Sequence, residues 1–495
     1  MLFSSFTFLL EFLPATILAF AAARQHSSRA GIIVLVGASL FFYGAWRPIL
    51  LLLFAGSVAT NFLLGLAMEN PSRRRAVGLF GVALNLSVLG LFKYTNFLFD
   101  VLKETTGAAL PHVDILLPLG ISFFTFQQIA YLVDVTRGAR IERDIVSYTL
   151  FVSFFPHLIA GPLVHHAEMI PQFKRERSGR SAVLAARGWA IFVAGLFKKV
   201  AIADNLAQFV NPVFAHADAG GSVGAQWAWL SILAYTLQIY FDFSGYSDMA
   251  IGLALLFGIR LPVNFRSPYK ATSIIDFWRR WHITLSRFLR DYLYIPIGGN
   301  RLGAQRRYIN LMLTMALGGL WHGAGWNFLI WGALHGAFLV VNHLWRAGER
   351  KPSTTFAPLA SSWLLTFLAV VVGWVFFRAK TLTGAGQMLG GLLGFGGDSA
   401  YASEGIVRVM DLPLLVGEQR LLLIGWSAIA LGMAVALFLP NVPQVYRYRE
   451  YRRKPESGAF PNWRPNFIWA SLTALALVVS LFGMWQRVEF LYFQF

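Results

Sequence analysis

The sequence reads as an all-α integral membrane protein, and three observations carry that expectation. Charged residues make up 13% of the 495-residue chain, where a soluble globular chain carries roughly 25%. Apolar residues make up 56%, with 44 Phe, 16 Trp and 16 Tyr, and the mean hydropathy is +0.56. The apolar residues also gather into stretches near the ~20 residues a helix needs to cross a hydrocarbon core. This balance excludes an ordinary soluble enzyme and a disordered chain.

In chain order the expected spans are 6–22, 30–46, 49–68, 77–101, 115–133, 186–210, 226–257, 307–321, 323–345, 358–378, 421–440 and 467–485, about 11–12 transmembrane helices. The first 23 residues hold no Lys or Arg, so the basic start of a signal peptide is absent and the opening segment is expected to be a retained span. Arg73–Arg75, Lys174 to Arg187, Arg260 to Arg307 and Arg447 to Lys454 are basic, whereas 211–225 holds no Lys or Arg. The positive-inside rule places the first group in the cytoplasm and the last loop outside, and counting spans puts both termini outside. The formal net charge of +18 is thereby explained by topology and by contact with membrane lipid headgroups, rather than by nucleic acid.

Segment 145–164 is apolar enough to span but is flanked on both sides by basic residues, and it holds Pro156, Gly161 and Pro162. It is expected to be a re-entrant hairpin lining a cavity, because irregular backbone at membrane depth is tolerated only inside protein or against water. Residues 259–306 are rich in Trp, Tyr and Arg and form a cytoplasmic interfacial insertion. The chain is expected to be a single polytopic membrane domain, 1–495, with a catalytic core region over 115–345. No internal repeat is evident, which argues against a transporter built from inverted halves.

With no cysteine, the chain has no disulfide, no Cys-ligated metal and no thiol nucleophile. Ionisable groups inside a membrane are costly and mark function by default. The densest constellation runs from Tyr240 to Trp345. Asp242 and Asp248 lie in an apolar stretch, Tyr240 to Gly252, where Gly245 is a candidate break; each Asp either caps or pairs structurally, or binds substrate. Next, Trp278, Trp281, Leu285, Phe288 and Tyr292 recur at helical spacing, giving one amphipathic interfacial helix. His282 falls on its other face, near Arg279 and Ser286, and is either part of a solvated basic face or functional. Third, His322 stands between two apolar helices, bracketed by Gly318, Gly319, Gly323 and Gly325 and by Trp321 and Trp326, with Asn327 following. Histidine is the side chain best matched to proton transfer near neutral pH, and the glycines clear bulk from both sides as a binding cavity requires. His335, His343 and the His165–His166 pair are weaker candidates. No H-E-x-x-H, G-x-S-x-G or Walker motif is present, and no metal is assigned.

Several stretches together resemble the membrane-bound O-acyltransferases (MBOAT), in their bacterial alginate O-acetyltransferase branch. They are Pro118–Gln127 with Tyr131–Val135, Phe241–Asp248, Phe277–Tyr294 with Ile295–Asn300, Gly319–Trp326, the opening Phe3–Ser5 and the ending Glu489–Phe495. The resemblance implies helices surrounding a cavity or tunnel through the bilayer, and transfer of an acyl group to a hydroxyl. It maps the family's nearly universal histidine onto His322 and a second polar position onto His282. It further implies a bacterial inner membrane location, an exported polysaccharide or cell-wall polymer as acceptor, and periplasmic acetyltransferase partner proteins beside the polysaccharide machinery.

The resulting expectation is acetyl transfer from a cytoplasmic donor, acetyl-CoA or another acyl thioester, with no bound cofactor and alginate-like polymer as the first choice of acceptor. His322 is the general base, His282 orients the donor or holds its carbonyl, and Arg279 and Arg280 meet either the CoA phosphates or lipid headgroups. Trp278, Trp321, Trp326 and Asn327 shape the pocket. Peptidoglycan or another surface glycan, a lipid acceptor, and polymer transport are the alternatives.

Overall fold

A backbone in hydrocarbon has no water to bond to, so apolar stretches close their hydrogen bonds internally as helices. The computed structural model describes residues 1–174, 182–348, 356–396, 418–451 and 462–485, and among them there are helices and no strand. Residues 175–181 of one basic stretch, Arg452 to Lys454 of another, and the ending Glu489–Phe495 lie outside the described residues.

Six helices among the described residues are long and apolar enough to cross a membrane: Thr7–His26, Pro48–Ala67, Arg74–Thr106, Trp326–Arg346, Pro358–Arg378 and Gln419–Phe438. Ser28–Gly44 and Phe467–Gly483 are shorter apolar helices. Local chemistry sets their ends. The Ser27 hydroxyl accepts from the Ala30 N–H, Pro48 opens the next helix, and Gly107, at φ 70°, closes Arg74–Thr106 as a left-handed C-cap does.

Two expectations need correcting. The 211–225 stretch, which holds no Lys or Arg, is not all loop: the Asp204–Asp218 helix continues through Pro212, burying Phe209, Val210, Val213, Phe214 and Ala217. Absence of basic residues reads alike for an external loop and for a helix buried in protein. Nor does Gly245 break its segment, since Ala225–Leu256 is one helix. A glycine inside a helix costs only about 1 kcal/mol, which burial of its neighbours outweighs.

Contacts group the chain into two compact units. The first is Met1–Leu196 with Tyr246–Val263 and Val442–Gln486. Phe3, Phe8, Phe42 and Phe155 build its aromatic core. Asn61 and Asn85, on neighbouring helices there, exchange amide hydrogen bonds of 3.2 and 2.7 Å. Segment 145–164 holds two short helices, Ile145–Ser153 and Phe155–Leu158, broken at Phe154. His166, the first residue of the next helix, His166–Phe173, is buried, its Nδ1 3.6 Å from the Asp134 carboxylate.

The second unit contains Phe197–Gly245 and Asn264–Asn441. Its centre is an antiparallel pair, Gly303–His322 and Trp326–Gly348. A Cβ built on Gly319 would strike the Phe328 carbonyl, and one on Gly332 the Met315 carbonyl. The two backbones therefore meet over small residues, as packing between helices in a membrane favours. That close approach carries His322, the last residue of its helix, to the end of the hairpin.

Replacing Gly332 by Val is expected to wedge this pair apart and to destabilise the protein by about 1–3 kcal/mol. Thermal unfolding of the purified variant in detergent checks this, and a melting temperature equal to that of the parent would contradict it.

Candidate functional site

The site begins with a break in a helix. Trp278, Trp281, Leu285, Phe288 and Tyr292 do keep helical spacing, but two helices share it: Ile274–Arg280 and Ile283–Leu289. Between them Trp281 is extended and His282 is left-handed, at φ 41° and ψ 54°, an uncommon conformation for a residue with a side chain. The expected single amphipathic helix is thus corrected, and His282 is not on a solvated face beside Arg279 and Ser286 but fully buried. The physical reason lies 18 residues away in the chain. The Asn264 carbonyl accepts from the Ile283 N–H at 3.0 Å, and the Arg266 N–H donates to the Arg280 carbonyl at 2.9 Å. The Asn264 side-chain Oδ1 accepts from the Thr284 N–H at 3.3 Å and from its hydroxyl at 3.0 Å. The surrounding chain holds the strained residue in place, as such conformations require.

Those contacts also fix a proton. His282 Nδ1 lies 3.1 Å from Asn264 Oδ1. The Thr284 main-chain N–H can only donate, so the amide atom it faces is the oxygen; an amide oxygen only accepts, so Nδ1 carries the hydrogen. In the neutral imidazole the lone pair is then on Nε2. Burial favours that neutral form and pushes the His282 pKa down to about 3. The ring of Phe243 meets His282 edge to face, 4.7 Å between centroids.

His322 lies close by in the same unit, its ring centroid 6.5 Å from that of His282. Trp321, Trp331 and Phe377 surround it at 4.8, 5.1 and 5.0 Å. Trp278 packs at 5.9 Å on Trp331, so its place is one layer behind His322. Asn327 is buried and donates to the Ala379 carbonyl at 2.6 Å, which ties the turn after His322 to the end of the Phe356–Arg378 helix. Trp326 is 44% exposed. His335, fully buried between Trp331 and Trp278, extends the aromatic layer.

Asp242 lies 2.7 Å from Lys199 Nζ, which also binds Asp204. Lys199 sits on a widened π turn, Lys198–Ala203, and this buried ion cluster gives Asp242 a pairing role. Asp248 belongs to the first unit and is buried there; on an unbroken helix the two Asp residues occupy different faces. Arg280 is paired with Asp276 at 2.9 Å, while Arg279 is exposed.

Sequence reading alone missed Asn264, Thr284, Lys199, Trp331 and Phe377. Only Lys199 carried a local signal, as a charge inside an apolar segment; the others are ordinary residues whose meaning is long-range.

The membrane-bound O-acyltransferase family profile matches residues 142–383, a range that includes both histidines. A peptidoglycan O-acetyltransferase of Helicobacter pylori is 44% identical over 447 residues, covering 83% of this chain and 84% of that protein. A probable alginate O-acetylase of Pseudomonas aeruginosa is 45% identical over 409 residues, covering 80% and 75%. A teichoic acid D-alanyltransferase of Bacillus subtilis is 25% identical over 400 residues, covering 76% and 98%. Identity of this extent, on a helical membrane chain with two histidines in one buried cluster, leads to one conclusion: the chain belongs to the membrane-bound O-acyltransferase family and is a multi-pass membrane acyltransferase.

Proposed function

We propose that this enzyme transfers acetyl groups to hydroxyls of an exported polysaccharide, in the inner membrane of a bacterium and with both termini on the periplasmic side. Relatives of nearly equal identity are named as acetylating alginate and peptidoglycan, so an alginate-like polymer is the first reading and peptidoglycan the second. The longer alignment belongs to the peptidoglycan enzyme. The donor is acetyl-CoA or another acyl thioester from the cytoplasm, and periplasmic acetyltransferases are the partners that complete delivery to the polymer.

The observation that carries the mechanism is a pair of buried imidazoles 6.5 Å apart, one with its tautomer set by Asn264. His322 is the general base: it takes the proton from the acceptor hydroxyl as that oxygen attacks the thioester carbonyl. The C–O bond forms, the C–S bond breaks, and the proton passes to the leaving thiolate. With its lone pair on Nε2, neutral His282 can accept a hydrogen bond but cannot donate one to a carbonyl from that atom. Its role is therefore to orient the donor through a donor N–H or O–H, and not to hold the thioester carbonyl. The aromatic wall of Trp321, Trp331 and Phe377 excludes the water that would otherwise hydrolyse the thioester. Arg279, exposed at the interface, is the arginine available to CoA phosphates, because Arg280 is held by Asp276. Trp326 and Asn327 frame the turn beside the base.

Removing the base in His322→Ala is expected to lower acetyl transfer by about 10²–10⁴-fold. Ester-linked acetate on the surface polysaccharide, measured at equal protein level, tests this. Unchanged acetate removes His322 from the mechanism, and reduced polymer export at unchanged acetate per sugar turns the reading toward transport. Asn264→Asp keeps the oxygen acceptors but places a carboxylate against His282, which favours the imidazolium. The acid limb of the rate profile is then expected to move to higher pH by about 1–3 units. An unshifted limb with merely lower activity would reduce Asn264 to a structural role.

A further inference from the structure

A recess of about 720 Å³ lies wholly within the first unit, among residues Arg29, Glu69, Arg74, Arg140 to Asp144 and Lys174. Four helix ends border it: the start of Ser28–Gly44, the end of Pro48–Ala67, the start of Arg74–Thr106 and the end of Ile121–Thr136. Every carboxylate lining it is already matched to a cation. Asp144 meets Arg29 at 3.4 Å, Glu69 meets Arg143 at 2.8 Å, and Glu142 meets Lys174 at 2.7 Å. Two guanidinium groups are left over. Arg74 spends its Nε–H on the Met68 carbonyl at 3.0 Å, which aims the chain and leaves both terminal amino groups of the fork to the recess. Arg140 lines the same recess, exposed.

The lining therefore carries two positive charges in excess, both of them arginine. Arginine forks match the oxygens of a phosphate in pairs, and a volume within the ordinary range of ligand pockets admits a whole headgroup rather than a single ion. The flanks are apolar. Ile33 follows Arg29 by one helical turn on the same face and is 51% exposed, and Ile145, next to Asp144, is 42% exposed. A ligand with an anionic phosphate at one end and hydrocarbon at the other satisfies both features. We propose that this recess is a binding site for the headgroup of an anionic phospholipid, with Arg74 and Arg140 holding its phosphate. The site is separate in residues from the histidine cluster and does not depend on the reading of its chemistry.

The purified full chain in a zwitterionic detergent is titrated with acyl-labelled phosphatidylglycerol and, separately, acyl-labelled phosphatidylcholine. Phosphatidylglycerol is expected to bind more tightly. Each arginine near a charged membrane surface contributes about fivefold in affinity, so Arg140→Gln should weaken binding about fivefold, Arg74→Gln with Arg140→Gln roughly 25-fold, and Arg140→Lys much less. Among the described residues Arg140 makes no hydrogen bond or ion pair that its loss would break, so the single variant decides the matter even where the double one fails to fold. Equal binding of the two lipids, or unchanged affinity in Arg140→Gln, would overturn the proposal. Displacement of phosphatidylglycerol by soluble 3′,5′-ADP would assign the recess to a nucleotide phosphate and overturn the lipid reading.

Discussion

The side-chain oxygen of Asn264 organises the candidate site of this molecule. It gathers the Thr284 N–H, the Thr284 hydroxyl and the His282 Nδ1–H on one acceptor. In doing so it caps the start of the Ile283–Leu289 helix and holds a histidine in a left-handed conformation that the helical pattern of its neighbours would not choose. A single acceptor thus settles position, strain and proton placement together. The chemistry proposed for the site needs all three, since a base and an orienting imidazole must present their lone pairs before the substrate arrives.

Pairing of polar groups where water is scarce recurs in both units. Lys199 is held between Asp204 and Asp242, and Asn61 exchanges bonds with Asn85. A buried ion cluster is weak evidence for added stability, because desolvation offsets most of the attraction. Its effect here is specificity: the π turn at Lys198–Ala203 places the ammonium where both carboxylates reach it. Helices that lack such pairs approach through small residues instead, as the Gly319 and Gly332 contacts do. Polar matching and backbone approach do the work that hydrophobic burial does in a soluble core.

Aromatic rings surround His322. Trp321, Trp331 and Phe377 leave the imidazole in a wall of edges and faces, and Trp374 and His335 continue that wall outward from Trp331. Rings of this kind are rigid and exclude water at little entropic cost, which suits the proposed transfer from a thioester, with hydrolysis as its main competitor.

What the sequence determined by itself is what depends on neighbours in the chain. Composition and apolar run length were enough for a helical membrane protein, because the bilayer sets a length and forbids open backbone. Glycines and tryptophans around His322 marked it, since a cleared and aromatic setting is written within a few residues. The tertiary structure decided what depends on distant partners. Periodicity could not show the break at His282, because both halves keep the helical spacing and the competing acceptor, Asn264, comes from another part of the chain. Nor could it show that Asp242 is held by Lys199, or that the Asp204–Asp218 helix extends into a stretch without Lys or Arg. Hydrogen bonds and ion pairs between remote residues carry no local pattern, and they are what turned a candidate histidine into one with a fixed orientation and a fixed proton.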